Sequence, residues 1–233
     1  MASFADSRAE GFQRDWPKGA ARVASGWFIT LEGGEGAGKS TLIRELSARL
    51  AATGREVTTT REPGGIPIAE AIREIILHVD HTSMDPWTEA LLYAAARRQH
   101  LAEKVVPALE RGAAVICDRF VDSSLAYQGH ARGLGIESVW NINRFATESR
   151  MPDLTLFLDL DPEIGLARLE SGGRSKVDRL DLESLEFHRK VREGYRIVAG
   201  MFPERFVTLD ASASPEELAE EAWRYLSKRL PGL

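Results

Sequence analysis

The sequence predicts an α/β fold: a five-stranded parallel sheet with helices on both faces. Three observations carry that reading. Five short apolar runs have strand length, longer segments with helical spacing separate them, and a glycine-rich loop joins the first strand to the first helix. "WFITLE" (27–32) is the first strand, and Leu42, Leu46 and Leu50 recur at helical intervals after it. "EVTTT" (56–60) is the second, closed by the turn "REPGG" (61–65). More than one helix then leads to "AAVICD" (113–118), and again more than one to "LTLFLD" (154–159). Val191, Tyr195, Val198 and Phe202 mark the helix before the last strand, "RFVTLD" (205–210).

The chain has 233 residues, 43% apolar and 28% charged, enough for one domain over 26–233. Residues 1–25 lack apolar periodicity and read as a flexible N-terminal extension. A net charge of −5, with no long basic run, argues against a nucleic-acid partner. No apolar run is long enough to span a bilayer, and the start lacks the apolar core of a signal peptide, so no membrane partner is expected. The single cysteine, Cys117, excludes an intramolecular disulfide and suits a reducing, cytoplasmic setting.

"GGEGAGKST" (33–41) satisfies G-x-x-x-x-G-K-[ST] between a strand and a helix, the setting in which that motif holds phosphates. The loop from Gly33, Gly34, Glu35, Gly36, Ala37 and Gly38 curls so that its N–H groups point inward. The helix start at Lys39, Ser40 and Thr41 adds unsatisfied donors. Lys39 can reach β- and γ-phosphates, and Ser40 can ligate Mg²⁺. Glu35 is the anomaly, a carboxylate in an anion-binding loop.

Four other stretches bear on the reaction. Pro63 and two glycines force a turn at the C-terminal end of strand 2, where open α/β sheets bind ligands. Asp118, at the end of strand 3, can orient the water shell of Mg²⁺, and Arg119 offers a fork to a phosphate. Ser124, Tyr127 and Gln128 share a helix face able to read a base edge and crowd a sugar, and Tyr93 and Arg97 lie four apart on another. "LESGGRSKVDRLD" (169–181) has the composition of a mobile surface loop carrying cations.

In this order "FITLEGGEGAGKST", "TREPGG", "YAAARRQH", "CDRFVDSSLAYQG", "RMPDLTLFLDLDPEIGLAR" and "DRLD" resemble the bacterial thymidylate kinases, over about residues 26–230. The resemblance implies a P-loop NTPase fold of the nucleotide-kinase type. It also implies transfer from Mg-ATP to dTMP, a likeness to homodimers, and a candidate dimer surface around residues 89–106. Tyr93 would stack on thymine, Arg97, Ser124 and Gln128 would read its edge, and Tyr127 would disfavour ribose. Glu62, Pro63 and Arg73 would line the acceptor site with Arg119. Some relatives carry an arginine beside the P-loop acid. Here that slot is Gly36, so the missing charge falls to a lid at about 171–182, hinged at Gly172 and Gly173. Arg174 is favoured as the catalytic cation, with Arg179 holding the closed loop against ATP and Lys176 as an alternative. Glu35 would pair with cations or with the acceptor's 3′-hydroxyl. Competing readings are a kinase for another pyrimidine monophosphate, a nucleotide-dependent binding module without transfer, and a triphosphatase switch.

Overall fold

The computed structural model describes residues 26–171 and 178–230. Five strands, β1 (Trp27–Gly33), β2 (Val57–Arg61), β3 (Ala114–Asp118), β4 (Leu154–Asp159) and β5 (Phe206–Asp210), pair in the order β2-β3-β1-β4-β5. Every pairing is parallel. Each strand begins within one residue of its predicted start. The central three, β3, β1 and β4, are buried on both faces and read as continuous apolar runs, whereas the edge strand β2 has no fully buried residue and β5 alternates at its end.

Helices cover both faces, as the sequence requires. On one face α1 (Lys39–Ala52) packs Leu42, Leu46 and Leu50 against Ile29, Leu31, Leu156 and Leu158. The C-terminal helix α9 (Pro215–Arg229) adds Leu218, Ala222 and Leu226 there. It starts at a capping box in which Ser214 and Glu217 satisfy each other's backbone N–H groups. The opposite face carries Phe28, Val115, Phe157 and Phe206, covered by α8 (Leu185–Met201) through Val191, Tyr195 and Val198.

Between β2 and β3 lie α2 (Pro67–Leu77), α3 (Pro86–His100) and α4 (Val106–Glu110). A π-helical turn, Leu101–Val105, joins the last two. Between β3 and β4 come α5 (Val121–Ser124), a second π-helical segment (Leu125–Ala131) and α6 (Ile136–Thr147). The sequence reading puts Ser124, Tyr127 and Gln128 on one face of an ordinary helix, and the π geometry is a departure from it. Helix α7 (Pro162–Ser171) follows β4. Among the described residues no helix is long and apolar enough to cross a membrane. All three candidate site loops leave the carboxyl ends of β1, β2 and β3, the side on which parallel sheets hold ligands.

Candidate functional site

The loop after β1 has the backbone its glycines imply. Gly36 and Gly38 adopt φ of 68° and 90°. A Cβ on Gly36 would lie 2.0 Å from the Gly165 carbonyl oxygen of α7, so this loop has no room for a side chain there. The absence of an arginine at position 36 is therefore built into the packing. Lys39 is buried, and its ammonium donates to the Gly33 and Gly34 carbonyls at 3.1 and 2.8 Å. Burial, with Arg119 nearby, lowers its pKa, so a phosphate brought to it relieves a desolvated cation. Ser40 is exposed at the start of α1.

Arg119 joins the parts. Its backbone sits at φ 69°, a conformation uncommon for a residue with a side chain and one that clusters at functional sites. Its guanidinium donates to the Gly33 carbonyl and the Tyr195 hydroxyl, both at 2.9 Å, and to Glu35 at 2.5 Å. Glu35 thus meets a cation, which explains a carboxylate in a phosphate loop. The Tyr127 hydroxyl approaches the same oxygen at 3.4 Å. Next door, Asp118 Oδ1 is buried without a hydrogen-bond partner among the described residues.

Beneath this cluster lies a group the sequence reading passed over. Glu32, fully buried at the end of β1, accepts from Phe120 N, Ser123 Oγ and Tyr195 Oη at 2.7, 2.5 and 3.0 Å. Burial first, and then Asp122, pushes its carboxyl up to about 7.

A cleft of about 530 Å³ opens beside Glu35 and Arg119. Glu62, Pro63, Arg73, Tyr93, Arg97, Ser124, Tyr127 and Gln128 line it. Every predicted acceptor-side residue is therefore brought together, from four separate stretches of chain. The roles differ from expectation at two of them. Glu62 is turned inward: its oxygens accept from Arg97 Nε at 2.7 Å and meet His100 Nδ1 at 2.8 Å. Arg97 is likewise buried and also donates to Ser124, Asn143 and the Phe120 carbonyl. These two hold the cleft's wall, and Ser124, which accepts from Arg97, keeps a hydroxyl proton to offer. Arg73 donates to the Pro63 carbonyl at 3.0 Å, fixing the turn.

Arg179 requires a correction. Expected at ATP, it is instead buried against α2 and α3, donating to the Ile76 carbonyl at 2.8 Å and to Glu89 at 2.5 Å. The charge pattern of its loop counted the cations but carried no direction. Arg174 and Lys176, with Gly172 and Gly173, lie outside the described residues, as does the 1–25 extension. Glu89, Glu32, Tyr195 and Asn143 were missed. One signal was available for Glu89: it stands one helical turn before Tyr93, a charge on an otherwise apolar stretch of helix.

The sequence profile described as "Thymidylate kinase" matches residues 31–222. Among curated relatives, a thymidylate kinase of Halalkalibacterium halodurans is 56% identical over 208 residues, covering 89% of this chain and 99% of that protein. One of Bacillus velezensis is 58% identical over 88% of this chain and 97% of the relative. A third, of Geobacillus thermodenitrificans, is 57% identical over 89% of this chain and 92% of its own.

Proposed function

The chain belongs to the thymidylate kinase family, and we infer that it moves the γ-phosphate of ATP onto the phosphate of dTMP, giving ADP and dTDP. One observation carries the residue-level reading. Arg119 touches the P-loop backbone while it and Glu35 line the cleft, so donor and acceptor sites share one wall.

In this reading ATP's phosphates enter the loop from Gly33 to Thr41, and Lys39 leaves its two carbonyls for them. The dTMP base lies in the cleft against Tyr93, with its polar edge toward Ser124 and Gln128 and its sugar toward Tyr127. Arg73 and Arg119 face its phosphate. A dTMP oxygen attacks the γ-phosphorus, the bond from that phosphorus to the β-bridging oxygen breaks, and ADP departs. The attacking monoester is already anionic near neutral pH, so no strong base is required. Charge repulsion is the obstacle: like unit charges ~4 Å apart repel by ~4 kcal/mol at an effective dielectric of ~20. Lys39 and Arg119 offset it. Glu35 keeps Arg119 aimed and ties the acceptor's position to the loop.

The orphaned Asp118 oxygen and the exposed Ser40 hydroxyl fit Mg²⁺, Ser40 directly and Asp118 through water. Among the described residues no cluster of three or more His, Cys, Asp or Glu side chains forms a metal cage. That suits an ion that keeps waters and nucleotide phosphates as ligands. When bound, Mg²⁺ neutralises charge on the donor phosphates.

The chain acts as a homodimer in this reading. Ile68 and Ile75 of α2, Trp87 and Leu91 of α3, and Phe145 of α6 at 89% exposure form unpartnered apolar surface that a second copy would bury. Its setting is cytoplasmic, in keeping with the free, buried Cys117.

Steady-state diphosphate formation across dTMP, dUMP and dCMP tests the substrate. We expect dTMP first and dUMP next, since one methyl group contributes only ~1–3 kcal/mol of discrimination. Preference for dCMP would overturn the reading.

A further inference from the structure

Glu89 belongs to no part of the reaction described so far, yet it is 1% exposed beneath the base end of the cleft. It anchors three side chains from three directions. Its Oε1 accepts from Gln128 Nε2 at 2.8 Å, and its Oε2 accepts from Arg179 at 2.5 Å. Arg132 approaches both oxygens, at 3.5 and 3.4 Å, and is itself paired with Glu183 at 2.6 Å.

A carboxylate between two guanidinium groups can only accept. The Gln128 amide must therefore turn its nitrogen toward Glu89, which leaves its carbonyl oxygen for the cleft. No described residue donates to that oxygen, and Gln128 lines the cleft. We propose that Glu89 is a specificity-determining positioning residue: by fixing the Gln128 amide, it makes the cleft present an acceptor to the ring nitrogen of the base. This rests on the reading of Gln128 as a base contact.

The chemical consequence is selective. Thymine and uracil carry an N3–H donor beside the O4 acceptor. Cytosine reverses both, with a bare N3 beside an amino group. A fixed carbonyl at Gln128, next to the donating Ser124 hydroxyl, matches the first pattern and opposes the second. A site built to hydrogen-bond one arrangement rejects another because its buried groups are left unpaired.

Glu89→Gln tests this with little change in volume. The new amide has one forced orientation. An NH₂ on the Oε2 side would face Arg179 at 2.5 Å and Arg132 at 3.4 Å, whereas the Oε1 side meets only Arg132 Nε at 3.5 Å, so it takes the Oε1 side, toward Gln128. Gln128 then turns, and its own NH₂ faces the cleft. We expect the ratio of kcat/KM for dTMP over dCMP to fall by about tenfold or more, the scale of one mispaired buried group. The dTMP over dUMP ratio should stay within twofold, because those two bases share the same edge. Such ratios do not depend on how much of the preparation is folded. An equal loss on all three substrates would make Glu89 a structural support only and overturn the proposal.

A second measurement avoids the variant altogether. In the wild-type protein, the Gln128 side-chain amide, assigned by its loss in Gln128→Met, should show NMR scalar coupling across its hydrogen bond to the Glu89 carboxylate carbon. Absence of that coupling overturns the proposal whatever the variant does. Wild-type enzyme inactive on every pyrimidine monophosphate would instead remove the parent reading, and this one with it.

Discussion

In the proposed reading, the phosphate side and the base side of the site are built by different means. Around Gly33–Lys39 the ligand-facing groups are backbone amides and one lysine from a single short stretch. Around the base end they are side chains brought from Pro63, Tyr93, Ser124 and Gln128, the last two held by the buried Arg97 and Glu89. A phosphate offers the same charge in every nucleotide, so a contiguous cradle of N–H groups suffices. A base is distinguished only by the order of donors and acceptors on its edge. That demands side chains fixed in orientation, and hence buried ion pairs behind them.

The sharpest way to break this contrast is at Lys39. Lys39→Met should lower turnover by about 10³-fold, the loss expected for a preorganised charge aimed at a developing one, while dTMP binding measured by calorimetry holds within a few fold. Comparable loss of dTMP binding would mean the two sides are one.

On the base side the support should matter more to stability than to chemistry. Glu62→Ala strands Arg97 and His100 in the interior and should cost about 3–4 kcal/mol in denaturant unfolding, because an uncompensated buried charge remains. A change below about 1 kcal/mol would mean that the wall is held by packing alone.

Beneath the phosphate side, Glu32 sharpens the comparison through pH. Its carboxyl is raised from 4.5 to about 7, so between these values the folded protein holds a proton that the unfolded chain has lost. Its contribution is full below pH 4.5 and fades as pH rises through 7. Relative to Glu32→Gln, wild-type stability should fall by about 3 kcal/mol across that window, 1.36 kcal/mol for each unit of pKa. Parallel stability curves would contradict the raised value.

Tyr93→Ala gives the smallest effect and the most local. Losing the stacking face should raise KM for dTMP about 10–100-fold with KM for ATP unchanged, following the ~1–3 kcal/mol attributed to base–aromatic stacking. An equal rise for ATP would place Tyr93 outside the base site.

What could be read from the sequence divides along the same line. The cradle is legible because its motif, its glycines and its flanking strand and helix are consecutive. The central strands are legible because both faces of each are buried, and the edge strands β2 and β5 because β-branched and apolar residues form short runs there. The residues singled out through the resemblance to known kinases gather around one cleft, but the resemblance does not say which of them pair with one another. Glu62 and Arg97 look like ligand contacts until the structure pairs them, 35 positions apart. Tyr195 reaches Glu32 across 163 positions, and local spacing is silent about such a contact. Asn143 orients its oxygen toward Arg97 by donating to the Val139 carbonyl, a relation visible only after α6 is packed. Arg179 shows the same limit from the other direction: a loop's composition gives its charge but not its destination.

The account's central claim is that the cradle and the cleft act on one pair of nucleotides across the wall they share. Rapid-quench transfer from γ-³²P-labelled ATP, with Mg²⁺ and dTMP present, measures this directly. Label should appear in dTDP at the rate ADP forms, with little inorganic phosphate when dTMP is left out. Label released as phosphate at the same rate with or without dTMP would contradict it.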